Sequence, residues 1–220
     1  MARTAACIAL ALAALALPGR AAAACSPPPA PAGKATQLVT VSARGTAASL
    51  ELWQRTRGCW RRVAGPWRAR VGRSGVAARH REGDGTTPAG SFAIGPTMYG
   101  VAADPGVRFR YHRLVCGDWW DEDPGSPGYN RFRHVACGKH PPFGGGSEAL
   151  WTYTTAYRHF ALIRYNDAPP VPGRGSAIFL HADTGGATNG CVSLPLPRLV
   201  RVLRWLRPAA HPRIAIGVRR

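Results

Sequence analysis

The chain lacks several features that would place it in a common class. After the first turn of residues it has no uncharged apolar run long enough to span a bilayer, no internal repeat and no interior linker. Those absences exclude an integral helical membrane protein, a solenoid and a string of domains. Acidic residues are also scarce, with 11 Asp and Glu against 29 Lys and Arg. So large an excess favours an anionic polymer as partner. The basic residues are scattered, however, and no nucleic-acid-binding motif accompanies them, so nucleic acid is not expected.

What is present is a chain of 220 residues, 45% hydrophobic, rich in Gly (26) and Pro (20). That length supplies one ordinary core, and the composition favours short elements and turns over long helices. Arg3, the apolar run from Cys7 to Leu17, the Pro18-Gly19 break and the small residues at 21–24 read as an export signal over residues 1–24. Cys25 follows three alanines, so lipid anchoring there is the alternative to simple secretion. Residues 25–36 are a Pro-rich leader, expected to be extended, and 37–220 form the single domain. From residue 25 onward 27 basic residues face 11 acidic ones, a net charge of +16.

Apolar–polar alternation marks strands at 37–41 and 47–55, with Arg44-Gly45 as the turn between them. Residues 60–71 read as a strand pair broken at Gly65-Pro66, and 156–165, 176–181 and 213–218 as further strands. One helix is signalled from Pro197, where Leu199, Val202, Leu203 and Leu206 share a face and Pro208 ends the run. The expected fold is a mostly β, sandwich-like domain with one or two short helices.

Cysteines stand at 7, 25, 59, 116, 137 and 191. Cys116 and Cys137 bracket a Gly/Pro-rich stretch and suggest a stapled loop; Cys25 and Cys59 offer a second bridge, though four cysteines allow three pairings. In any of them one thiol is left, and the surroundings of Cys191 give it a use. A buried strand ends in His181, a Gly-rich loop follows, and Gly190-Cys191 opens another apolar segment. A thiolate is the nucleophile, an imidazole that accepts its proton activates it, and glycines let backbone N–H groups face a substrate oxygen. A metal site through His181, Asp183 and Cys191 finds no further histidine at ligand spacing. His80, His112, His134, His140, His159 and His211 read as structural or exposed.

The strand ending in His181, the loop carrying Thr188-Asn189-Gly190-Cys191, and the upstream Thr87-Pro88-Ala89-Gly90-Ser91-Phe92 together resemble the L,D-transpeptidase (YkuD-type) family. Further stretches (82–85, 126–130 and 173–177) resemble an exported bacterial subgroup of it. Asn189 stands where relatives carry a second histidine, and Val192-Ser193-Leu194 follow where an Arg or Asn is usual. The resemblance implies a transferase acting on peptidoglycan stem peptides through a Cys191 thioester, with His181 as base and no metal or cofactor. It also implies Gly190, Asn189 and Thr188 around the oxyanion, and a secreted, cell-wall-associated protein, expected to be a monomer. Tyr129, Trp151 and Tyr165 are candidates for the stem-peptide groove, and Asp84 and Arg174 for substrate contacts. A cysteine peptidase or amidase usually sets its cysteine before its histidine, opposite to the order here; a non-catalytic wall-binding module is the remaining alternative.

Overall fold

The computed structural model describes residues 28–219, together with Met1; the expected export signal and Cys25 lie outside that range. Alternation builds the first strands as expected. In β1 (Gln37–Arg44) Val39, Val41 and Ala43 turn inward while Ser42 and Arg44 face out. A turn at Gly45, which takes the left-handed conformation (φ 58°), leads into β2 (Ala47–Thr56), antiparallel to β1. The stretch expected to break at Gly65-Pro66 is instead one strand, β3 (Cys59–Arg70). Its pairing with β2 slips between Leu50 and Trp53, and this irregularity absorbs a proline that has no N–H for the ladder.

β4 (Val76–Ala77) and β5 (Thr87–Pro88) form a small parallel pair. β6 (Gly90–Gly100) follows, and then β7 (Arg110–Arg113). The disulfide Cys116–Cys137 closes a loop that contains β8 (Asp118–Asp121) and β9 (Arg131–His134). With β10 (Glu148–Ala149) these make a three-stranded sheet. Cys59 is also disulfide-bonded.

The segment at 156–165 becomes strand only in β11 (Phe160–Ile163), because Ala156–Arg158 coils into a 3-10 turn that buries Tyr157. Likewise β12 (Phe179–Ala182) begins after a turn in which Ala177 has φ 51°. β13 (Val192–Leu194), α1 (Leu196–Trp205) and β14 (Arg213–Val218) complete the chain. The nine-stranded sheet runs β11-β12-β13-β3-β2-β1-β14-β6-β7, and a further β11–β6 pairing closes it on itself. The fold is therefore a single, mostly β domain whose sheet rolls up, with one helix lying on it through Leu199, Val202 and Leu203. The described part of the leader is not free of the core. Ala32 and Ala35 are buried with Leu38, Trp60 and Ala215, and the Pro31 carbonyl accepts from Ser91 Oγ at 2.7 Å.

Asn130, also left-handed (φ 56°), ties the disulfide loop to the turn before β12. Its Oδ1 accepts from Trp120 Nε1 (2.9 Å) and the Ala177 N–H (3.1 Å). Its Nδ2 donates to the carbonyls of Tyr165 and Asn166. Truncation strands several buried polar groups at about 1–3 kcal/mol each. Asn130→Ala is therefore expected to lower the unfolding free energy by about 3 kcal/mol in urea titration at neutral pH. A loss under about 1 kcal/mol would contradict this assignment.

Candidate active site

β12 and β13 are parallel neighbours with His181 opposite Ser193 and Leu180 opposite Val192. Side chains alternate across a strand. Leu180, Ala182, Val192 and Leu194 therefore enter the main core, while Phe179, His181, Cys191 and Ser193 share the other face. The nine residues between positions 181 and 191 thus return the cysteine to the same face as the histidine. Both are buried, His181 at 7% exposure and Cys191 at 9%. Among the described residues Cys191 is the free cysteine.

The surroundings fix the protonation of both groups. His181 Nδ1 lies 2.8 Å from the Ala182 carbonyl. A carbonyl only accepts, so Nδ1 carries the proton and Nε2 keeps its lone pair. Burial pulls the imidazole pKa down to about 4, leaving the ring neutral at pH 7. The Cys191 thiol donates to the Ala177 carbonyl (3.2 Å), and its sulfur accepts from the Phe179 N–H (3.3 Å). Burial, followed by the charge of Glu148, pushes this thiol well above its ordinary pKa. At rest both groups are thus neutral, a thiol and an imidazole on one sheet face.

Two sequence motifs meet at the cysteine's own carbonyl. Thr188 Oγ1 donates to it at 2.7 Å and Thr87 Oγ1 at 3.2 Å. Thr87 also accepts the Gly72 N–H, and Thr188 is bonded through its backbone to Val71 and Arg73. Gly190 has φ 154°, and an added Cβ would sit 3.1 Å from the Thr86 oxygen and 3.2 Å from Ile178 Cδ1. A side chain there would strain the backbone and need these neighbours to give by a few tenths of an ångström. The Gly190 N–H, expected to face an oxyanion, donates to Thr188 Oγ1 at 3.2 Å instead.

Cys191 opens into a cavity of about 570 Å³, shared with Arg73, His80, Tyr153 and Asn189. Its wall also carries three glutamates, Glu82, Glu122 and Glu148. Tyr129 Oη and Ser176 Oγ donate to Glu82, and Tyr157 Oη donates to Glu148. Glu122 Oε1 is buried without a hydrogen-bond partner. Burial and the charges of Glu148 and Glu82 push Glu122 up to about 9, and burial raises Glu148 as well. Tyr157 links this acidic wall to the base, its ring lying edge-on to His181 at 5.8 Å between centroids.

Thr188, Asn189 and Gly190 thus gather at Cys191 as the sequence suggested, with Asn189 Oδ1 held by Arg73 at 2.6 Å. Tyr129 is buried and reaches the cavity only through Glu82. Trp151 packs against Trp119, and Arg174 lines a separate cavity beside Tyr165. Asp84 is a turn residue, accepting from the Arg81 and Thr86 backbones, and it lies 3.0 Å from His80 Nδ1. Not seen in the sequence were Thr87's hydroxyl contact, the three glutamates, Tyr157 and the cavity position of His80. Of these only Thr87, in the Thr-Pro-x-Gly-x-Phe motif, and Glu82, in the 82–85 stretch, carried a signal.

The family model for the L,D-transpeptidase catalytic domain (YkuD) matches residues 44–214. No curated protein matches the chain. With the thiol pKa raised, the thiolate fraction should grow about tenfold per pH unit from pH 7 to 9. Alkylation of Cys191 by iodoacetamide is therefore expected to rise in step, without a plateau. A plateau already reached below pH 7 would instead reveal a resting thiolate–imidazolium pair.

Proposed function

Because the chain belongs to the L,D-transpeptidase family, we propose that it transfers acyl groups of peptidoglycan stem peptides through a thioester on Cys191. The observation that carries this reading is a non-disulfide thiol opening into a cavity, on the same sheet face as an imidazole whose Nε2 is unprotonated. In the first step Cys191 Sγ attacks the stem-peptide carbonyl and His181 Nε2 takes the thiol proton. The C–N bond then breaks, and the imidazolium protonates the departing D-amino acid's nitrogen. In the second step an amine attacks the thioester, His181 accepts its proton, and the sulfur leaves and is reprotonated. Water in the amine's place gives a carboxypeptidase outcome from the same intermediate.

The Cys191 N–H and the Asn189 side-chain amide are the oxyanion donors in this reading, since Thr188 occupies the Gly190 N–H. Thr188 and Thr87 act as positioning residues, holding the cysteine's carbonyl. Tyr129, Trp151 and Arg174 take supporting places around the groove rather than direct ones. The three glutamates line the cavity beside the nucleophile with carboxyl groups, Glu122 protonated at neutral pH, an environment that suits hydrogen bonding to an incoming amine. No metal or cofactor enters these steps.

L,D-transpeptidase domains act on the cell wall, which matches the Cys116–Cys137 disulfide. We read residues 1–24 as an export signal, with Cys25 lipidation as the alternative, and the mature protein as a cell-wall-associated monomer. No described helix is long and apolar enough to cross a membrane.

Incubation of the full chain with muropeptides should yield 3→3 cross-linked dimers and released terminal D-Ala by mass spectrometry. Both products should vanish in Cys191→Ala. Glu148→Gln should shift products from cross-linked dimer towards trimmed stems, because it weakens the hold on the acceptor amine. An unchanged muropeptide profile with the unsubstituted protein would overturn the reading.

A further inference from the structure

The net charge of the protein is not spread evenly. Residues 28–81 and 184–220 carry eighteen basic residues, all but Lys34 arginine, against a single acid, Glu51. Residues 82–183 carry nine basic residues against ten acids. The split follows the fold. The basic segments supply β13, β3, β2, β1 and β14, which are consecutive neighbours in the rolled sheet, together with α1. The near-neutral segment supplies β6, β7, β11, β12, the disulfide loop and most of the cavity wall.

Within the basic half, Arg198 and Arg201 of α1 lie over the same indole, that of Trp67 on β3, at 5.2 and 5.3 Å from its ring. Neither has a carboxylate partner among the described residues; the arginine ion pairs of this half are Arg62–Glu51 and Arg70–Asp183. Two like charges are thus held side by side on one aromatic plate, with exposed Arg68 and Arg207 nearby in sequence. Cation–π contact fixes their planes, and a guanidinium fork matches the paired oxygens of a phosphate. The exposed large apolar residues of this half are Val63 and Val218, neither of them aromatic. The half-exposed indole at the cluster, Trp67, is already covered by the two guanidinium groups rather than free to stack on bases, and no large apolar side chain there forms a wedge for lipid.

We propose that this half, centred on the Arg198–Trp67–Arg201 cluster, is a docking surface for a flexible polymer of repeating phosphodiesters without bases. The inference stands apart from the acyl-transfer reading, because charge and stacking carry it and Cys191 has no part in it.

The test measures binding of the full chain to purified poly(glycerol phosphate) over a salt series. The unsubstituted protein should bind with an affinity that falls steeply with salt, each phosphate contact adding about 0.7–0.9 to the log–log slope. Arg198→Gln/Arg201→Gln should weaken binding about tenfold near 0.1 M salt and reduce the slope by about 1.5. Arg198→Lys/Arg201→Lys should keep the slope, and Arg108→Gln/Arg113→Gln, which removes equal charge from the other half, should leave binding within about twofold. Thermal unfolding of each variant checks that folding is intact. Cys191→Ala should bind as the parent does, so a failed transferase assay and a failed docking test are separable. Equal losses in the Arg198/Arg201 and Arg108/Arg113 glutamine pairs would show net charge alone, and tighter binding to duplex DNA than to poly(glycerol phosphate) would show a different partner. Either result overturns the proposal.

Discussion

The parallel pairing of β12 with β13 places the chemistry. Through the register of His181 with Ser193, one sheet face receives Phe179, His181, Cys191 and Ser193, while the opposite face buries Leu180, Val192 and Leu194 in the main core. A slip of one residue would send the cysteine into the core and a leucine or valine into the cavity. The aliphatic packing on one side therefore enforces the catalytic register on the other. The threonine hydroxyls of Thr87 and Thr188 lock the strand's entry point at the Cys191 carbonyl, and Asn130 holds the Ala177 turn whose carbonyl receives the thiol proton.

Burial sets the electrostatics of that face. The ring of His181 and the thiol of Cys191 are both driven to their neutral forms, so the cavity stores no charge in the nucleophilic pair itself. Burial, together with the charges of Glu148 and Glu82, holds Glu122 on the cavity wall protonated beyond neutral pH as well. Protonating His181 would place a cation in a dry site. Its contribution to folding is complete above its ordinary pKa of 6.5 and drains away as acid takes the pH down towards 4. A thiol held neutral by burial also resists adventitious oxidation, which suits a free cysteine in a disulfide-bearing protein.

Local chemistry made much of this arrangement legible. The alternation in β1 and β2, the heptad-like spacing of α1, the Gly45 turn and the His-loop-Gly-Cys stretch all follow from period and propensity, which sequence displays directly. The strand at Cys59–Arg70 misled because a bulge can hide a proline inside a strand. Tyr157 was read as part of a strand, yet it turns in a 3-10 coil to bring its ring against His181. Glu82 lay within a stretch that resembles the family, but nothing in the sequence joined it to Glu122 and Glu148. Positions 82, 122 and 148 lie on three separate segments, and only closure of the disulfide loop over the sheet edge makes them neighbours. Charge segregation was in the sequence, but it acquires meaning only once β13, β3, β2, β1 and β14 are known to lie side by side.

The claim that Cys191 is the acylated atom and His181 its base is tested most directly by exposing the protein to a carbapenem and weighing it intact. A mass increase of one drug molecule per chain, mapped to Cys191, absent in Cys191→Ala and much slower to appear in His181→Ala, is the expected result. An unmodified protein, or an adduct that persists after Cys191 is replaced, would contradict the account.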